Sequence, residues 1–330
     1  MAKKRHSPVQ HLLYGLVWMF FTLTRALPLR FARHLGAALA ALAYVVVPRV
    51  RKTGLANLDL VYGDTLSTRD KKRILFESVR NLGLVAAEFS YLPTLLAEGF
   101  ESHVTVRGIE NIDRSQGCIF IGAHLGNWEW MLPVSRMLGL ETAAIVREFD
   151  DPRMDGLVSG VRQSSGVFLI TKDNAMGTAL RVVRENGQVG LLADQNPRQN
   201  AVPVTFFGRE TWGTIGPALL AMRGKVPIHP ISMIRNDTGG YVFTFYPPVE
   251  LRYTGSMMED LRENTQRCQD ALEAIIREYP GQWLWLHRRW KRRERLESEW
   301  KKREEKQAAR YGSETAGKSE SVAAEGKEQP

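Results

Sequence analysis

From residue 103 onward, short apolar runs alternate with segments whose apolar positions recur every three to four residues. The runs "CIFIGA" (118–123), "TAAIVR" (142–147), "VFLIT" (167–171), "QVGLLAD" (188–194), "PIHPISMI" (227–234) and "GYVFTFY" (240–246) have the length and composition of buried strands. Between them the spacing predicts helices over 127–138, bent at Pro133, near 151–164, over 174–186 ended by Gly187, near 214–223, and over 257–278. Upstream, Leu75, Val79, Leu82 and Val85 or Ala86 share one face of a helix over 69–98. This rhythm predicts an α/β fold with a mainly parallel central sheet flanked by helices. Residues 281–306 read as a further helix, basic in its middle, and the polar segment from about Ala308 as a disordered tail.

The N-terminal pattern is different. Two uncharged runs, His11–Thr24 and Leu35–Pro48, are separated by Arg25, Arg30 and Arg33. Each run is 14 residues, short of the roughly 20 that span a bilayer. Four readings follow: a short or tilted anchor formed by the first run, two helices lying in the membrane interface, a cleaved signal peptide, or ordinary buried helices. No convincing small-residue cleavage site follows the first run. The expected division is a basic, hydrophobic membrane-associated segment (1–50), an α/β domain (51–300) and a polar tail (301–330).

Charge sharpens this picture. Residues 1–73 hold 13 Lys/Arg against three Asp and no Glu, a net +10 in a chain whose total is +9. A basic and apolar N-terminus suits an anionic membrane surface, and no nucleic-acid motif accompanies it. The two cysteines, Cys118 and Cys268, are far apart, which excludes a disulfide framework and a cysteine-based metal site and fits a reducing compartment.

The candidate chemistry lies in "AHLGNWEW" (123–130), directly after the first apolar run. Active sites of α/β proteins cluster at the carboxyl ends of strands. His124 falls on the loop, Gly126 permits a tight turn, Asn127 is placed to cap the helix, and Glu129 lies in its first turn. Residues five apart on one helix diverge by about 140°, so a His124–Glu129 bond requires the Gly-Asn break. With that break, a carboxylate can fix the imidazole tautomer and leave the other ring nitrogen as a base. No G-x-S-x-G elbow, Walker A loop, G-x-G-x-x-G or H-E-x-x-H is present. The pair therefore reads as a base for a hydroxyl supplied by a substrate, or as a polar cluster capping a helix.

"AHLGNWE" resembles the His-x4-Asp/Glu motif of glycerolipid acyltransferases, in the form found in the bacterial lipid A late acyltransferases, the lauroyl and myristoyl transferases. Five further blocks resemble that family in the same order: "RKTGLANLDLVYG" (51–63), "VREFDDP" (146–152), "LLADQNP" (191–197), "FFGRETWGTIGPALLA" (206–221) and "WLWLHRRWK" (283–291). The resemblance implies transfer of a fatty acyl chain from acyl carrier protein, or less often coenzyme A, to a hydroxyl of a Kdo-bearing lipid A precursor. It implies no metal, no bound cofactor and no acyl-enzyme, and a site facing the cytoplasmic side of the inner membrane. His124 would take the hydroxyl proton while Glu129 holds and polarises it. Asn127, Arg147, Asp194, Gln195 and Gly208 are assigned to substrate binding. Arg147 would meet a phosphate or the oxyanion, and Asp194 and Gln195 either the substrate or the His124 loop. The segment around Gly208 would wall the acyl chain, and the basic stretch 288–303 would meet lipid phosphates or an acidic carrier protein.

Two rivals stand beside this reading. One is acylation of another glycolipid, such as a phosphatidylinositol mannoside, or of a lysophospholipid. The other is a non-catalytic adaptor that uses the basic, amphipathic ends to sit on a membrane.

Overall fold

The computed structural model describes residues 8–171, 174–302 and 305. In chain order the regular elements are α1 (Pro8–Ala26), α2 (Leu29–Val46), α3 (Pro48–Tyr62), α4 (Thr68–Glu98), β1 (Val104–Arg107), β2 (Cys118–Gly122), α5 (Met131–Met137), β3 (Thr142–Ile145), α6 (Pro152–Gln163), β4 (Phe168–Ile170), α7 (Ala175–Arg184), β5 (Gln188–Leu192), β6 (Ala201–Phe206), β7 (Arg209–Thr214), α8 (Gly216–Gly224), β8 (Ile228–Arg235), β9 (Tyr241–Phe245) and α9 (Met257–Glu278). A further helix occupies 294–302.

Seven strands form one sheet in the order β1-β9-β8-β2-β5-β3-β4. Its pairs are parallel except β8 with β9. The expected α/β class with a mainly parallel sheet flanked by helices is what the chain adopts. β2 is fully buried because helices cover both faces. Ile119 and Ile121 enter a core with α4, α7, α8 and α9, while Cys118 and Phe120 enter a second core with α5, α6 and the end of α4. Ile119, Phe120 and Ile121 are completely inaccessible, and burial of each stabilises the fold by roughly 1.5–3 kcal/mol. Both cysteines are buried and unpaired, and burial pushes each thiol up to about 12.

α4 is the longest helix and the platform for much else. Ser67 caps it by accepting from the Asp70 amide at 3.1 Å. α2 crosses it where Gly36 and Gly83 meet, so closely that a Cβ on either would lie 2.3 Å from the other's carbonyl oxygen. α1 reaches the same helix through Thr24 Oγ1 and Ser90 Oγ, 2.5 Å apart, and through Arg25, which donates to the Ser90 carbonyl at 2.8 Å. The outer faces of these two helices are left apolar and exposed, with Leu12, Leu16 and Met19 on α1 and Leu39, Leu42 and Val46 on α2. Among the described residues, α2, rather than the first apolar run, is the helix long and apolar enough to cross a membrane by length and composition. Helix formation extends the first run to the 19 residues of α1, whereas the 18 residues of α2 begin six residues before the second run and stop two residues short of its end.

The structure corrects several expectations. Pro133 does not bend a helix over 127–138. It sits in the first turn of α5, where a missing N–H costs nothing, and the irregularity lies before it, as a 3-10 turn over Trp128–Trp130. Residues 281–306 are not one helix: 283–293 run as consecutive turns, and helix resumes only at 294. The side chains of Trp283 and Trp285, two positions apart, are both buried together with Arg289, a set that no single helix face collects. β1, α3 and the β6–β7 hairpin lie outside the elements expected from the sequence. From residue 306 on, the expected tail lies outside the described residues.

Candidate active site

The site is built by the parallel pairing of β2 with β5. Cys118 pairs with Gln188 and Gly122 with Leu192, an offset of 70 residues along the whole ladder. Continued two residues past both strands, the same offset sets His124 opposite Asp194. Asp194 Oδ1 lies 2.8 Å from His124 Nδ1, and Oδ2 accepts the His124 backbone N–H at 2.9 Å. Trp283 Nε1 donates to the same Oδ2 at 2.8 Å. Asp194 is buried, and three donors converge on its carboxylate. The imidazole is therefore held with Nδ1 protonated and Nε2 carrying the lone pair. Gln195 places its carboxamide nitrogen 3.2 Å from that Nε2, and the Trp128 ring packs at 5.2 Å from the imidazole.

Electrostatics follow from this arrangement. Burial alone would lower the His124 pKa, but the Asp194 carboxylate outweighs it, Glu129 adds to the effect, and the net shift is upward. Burial alone would raise Asp194. The imidazole, the indole N–H and the backbone N–H outweigh burial and hold it at about 2. His287 is pushed down to about 4 by burial and by the surrounding cations. It stays neutral and accepts from the Asn196 backbone N–H at 3.0 Å.

The turn that presents His124 is dictated by Gly126. Its φ is +61°, and a Cβ there would lie 1.8 Å from the Met233 carbonyl oxygen. The Asn127 backbone N–H donates to that same oxygen at 2.9 Å. On the far side, the backbone of Leu284 donates to the His124 carbonyl at 3.0 Å.

Glu129 does not bond His124. It receives a bidentate pair from Arg162 on α6, Nε to Oε2 at 3.0 Å and Nη2 to Oε1 at 2.7 Å, with Trp128 Nε1 donating at 3.2 Å. The Gly-Asn break turns the chain, but it directs Glu129 toward α6 while the strand ladder supplies the nearer carboxylate. Asn127 is not available to a substrate or as a side-chain cap. It is completely buried and donates to Glu88 Oε2 at 2.8 Å. Arg147 lies at the expected edge but past β3, two strand spacings or about 10 Å from His124. It is exposed and only 3.9 Å from Asp150, a pair worth little in water. Gly208 does not wall a pocket. With Phe207 (φ 53°) it has φ of 69° and forms the two-residue turn of the β6–β7 hairpin. Its neighbour Phe207 stacks on Trp283 at 5.9 Å, so the hairpin supports the residue that donates to Asp194.

Arg162, Trp283, Glu88 and His287 are the residues the sequence did not single out individually. Trp283 and His287 lay within a recognisable block, and Arg162 and Glu88 carried no motif at all. Among the described residues, no group of three or more His, Cys, Asp or Glu side chains is arranged to hold a metal ion.

The profile of the bacterial lipid A biosynthesis acyltransferases matches residues 2–292. The chain belongs to that family. It is 24% identical over 288 residues to the lipid A biosynthesis palmitoleoyltransferase of Escherichia coli K12, covering 84% of this chain and 90% of that one. The lauroyltransferase of the same organism is 23% identical over 303 residues, covering 88% and 96%. The phosphatidylinositol mannoside acyltransferase of Mycolicibacterium smegmatis is 24% identical over 193 residues, 54% of this chain and 58% of that one. The 1-acyl-sn-glycerophosphate acyltransferase of Thermotoga maritima gives a TM-score of 0.33 at 15% identity, covering 74% of this chain and 97% of its own. Membership makes the protein an acyltransferase, as the six ordered sequence blocks implied.

Proposed function

We propose that this acyltransferase moves a fatty acyl chain from a thioester, carried by acyl carrier protein or coenzyme A, to a hydroxyl of a lipid A precursor, with His124 as general base. The observation that carries the reading is the Asp194–His124–Gln195 line. The carboxylate accepts the Nδ1–H and orients the ring, and Nε2 is left as an acceptor on a side chain that is 20% exposed. The acceptor hydroxyl takes the place of the Gln195 amide and gives its proton to Nε2 as its oxygen attacks the thioester carbon. Collapse of the tetrahedral intermediate breaks the C–S bond, and the proton passes from Nε2 to the departing thiolate. No acyl-enzyme forms. General-base assistance of this kind supplies roughly 10²–10⁴-fold, and positioning of the two substrates supplies the remainder.

Asp194 is the orienting carboxylate in this scheme, and Glu129 contributes through space while neutralising Arg162. The exposed apolar faces of α1 and α2, with the basic N-terminal segment, support attachment to the cytoplasmic leaflet of the inner membrane, where such an acceptor resides. The exposed cations Arg288, Lys291, Arg292 and Arg295 suit an acidic carrier protein. The test is transfer from acyl carrier protein or acyl-CoA to a Kdo-bearing lipid A precursor by the purified enzyme, with His124→Ala and Asp194→Ala alongside. Wild-type turnover in the His124 variant sinks the base assignment, whereas a wild-type enzyme that transfers no acyl chain to any acceptor would support the membrane-adaptor reading. The match to the mannoside acyltransferase supports a second acceptor class. Lipid mass spectrometry of a deletion strain separates the two, since loss of one acyl chain from lipid A is expected under the first reading only.

A further inference from the structure

The catalytic turn is fastened to α4, and α4 is fastened to the N-terminal helices at the same place. Asn81 donates to the Gly126 carbonyl at 2.9 Å and to the Gln282 carbonyl at 3.1 Å. Two helical turns on, and so on the same face, Glu88 accepts from Asn127 Nδ2 at 2.8 Å. Glu88 is fully buried and also accepts from Tyr241 Oη. Its charge is matched from two sides. Arg235 on β8 binds it through Nη1 and Nη2 at 2.6 and 2.8 Å, and Arg33 on α2 through Nε at 2.6 Å. The Gly36–Gly83 crossing lies between Asn81 and Glu88 along α4. Arg33 therefore reaches the carboxylate that holds the residue three positions after His124.

We propose that Glu88 is a positioning residue for the catalytic turn and that Arg33 makes this positioning depend on how α2 is seated against α4. The inference rests on His124 being the base. A buried carboxylate with one guanidinium removed relaxes toward the remaining one. Asn127 follows Glu88, and with it the turn that presents Nε2. Because α2 exposes its other face, anything that moves this helix acts on turnover through Arg33 without touching substrate.

The test is acyl transfer by the full chain carrying Arg33→Ala, Arg33→Lys, Asn127→Ala or the pair Arg33→Ala/Asn127→Ala. Arg30→Ala serves as the control, because Arg30 is an exposed cation of the same helix that stacks on Phe31 at 4.7 Å and leaves Glu88 alone. Arg33→Ala is expected to lower kcat about tenfold, an ordinary consequence of a small misplacement, with the donor KM changed less than about twofold. Arg33→Lys restores most of the loss, and Arg30→Ala has no effect. The double variant loses little more than the worse single one, because both act through Glu88. Should Arg33→Ala fail to fold, the same cycle is run with Arg33→Gln, which keeps a donor but not the charge. Folded Arg33 variants with wild-type kcat, or fully additive losses in the cycle, overturn the proposal. Activity that survives His124→Ala overturns the underlying base assignment instead, so the two failures are distinct.

Discussion

Replacing Asp194 by Asn changes one oxygen to an amide nitrogen in a buried site and leaves the shape alone. Three donors now face that carboxylate: the His124 ring at 2.8 Å, the His124 backbone at 2.9 Å and Trp283 at 2.8 Å. An amide has one acceptor oxygen, so at least one of these donors meets an NH2 group or the imidazole must switch tautomer. If it switches, Nε2 carries the proton and can no longer act as a base. An equivalent Asp-to-Asn change in a Ser-His-Asp triad costs about 10⁴-fold in kcat. Here kcat is expected to fall by roughly 10³-fold or more, with the acceptor KM little changed, since nothing that touches the acceptor is removed. A buried donor left unpaired costs a further 1–3 kcal/mol or so of stability.

The pH profile separates Asp194 from Glu129. His124 is raised above its ordinary pKa, by Asp194 first and Glu129 second. The base form is required, so wild-type kcat/KM rises with pH through that elevated value. The stability linkage has the opposite sense: stabilisation by the charged imidazole is present below the ordinary value of 6.5 and lost as pH rises through the folded one. Without the Asp194 charge the imidazole loses its proton at lower pH, so the acid limb of residual activity shifts to lower pH. Glu129→Gln should shift it less. The assay is steady-state acyl transfer across pH 5–9 for wild type, Asp194→Asn and Glu129→Gln. An Asp194→Asn enzyme within tenfold of wild type, or a larger shift of the limb in Glu129→Gln, refutes the assignment of the orienting role to Asp194.

Other consequences are as direct. Gly126→Ala forces a Cβ to within 1.8 Å of the Met233 oxygen at a φ of +61°, and is expected to destabilise the fold by at least about 2 kcal/mol; a thermal midpoint within a degree of wild type would contradict the turn geometry. Asp194 is held at about 2 against an ordinary 3.8, so it contributes stability above the ordinary value that is lost as pH falls through the folded one, on the order of 2 kcal/mol. Urea midpoints between pH 4.5 and 2.5 should fall more steeply for wild type than for Asp194→Asn, and parallel slopes would disprove the linkage. Leu12→Asp with Leu16→Asp alters two exposed α1 residues. Each buried leucine is worth about 1.5–3 kcal/mol, so flotation with anionic phospholipid vesicles should weaken by roughly 100-fold at an unchanged melting temperature, and equal flotation would remove this face from the membrane contact.

Six of the nine strands among the described residues, β2, β3, β4, β5, β8 and β9, the helices between them and the loop position of His124 were legible because each is written in a short window of sequence. Apolar runs bounded by turn residues mark buried strands, and the first residues past a strand mark the reactive edge. The segment 283–293 was misread because its charge suggested a solvated helix. The spacing of Trp283, Trp285, His287 and Arg289 carries a period of two, and that pattern was available. Glu88 and Arg162 were invisible, because each works through a partner from an element far away in the chain.

The carboxylate that orients His124 shows where local reading stops. Glu129 is five residues away and Asp194 seventy, and proximity along the chain favours the wrong one. Two strands of the sheet carry an aspartate two residues past their carboxyl ends, Asp194 after β5 and Asp237 after β8, and both strands border β2. Strand adjacency alone therefore does not choose between them. Register does. Gly122, the last residue of β2, pairs with Leu192, the last residue of β5, so equal steps past each end arrive side by side. Against β8, Ile121 pairs with Pro230 and Gly126 bridges Met233, so His124 lies level with residues before Met233, well short of Asp237, and β8 runs on to Arg235. Asp237 is thus carried past the site and lies exposed. The carboxylate that orients His124 is selected by where two parallel strands stop relative to each other, a quantity fixed by packing over the whole sheet and absent from any motif.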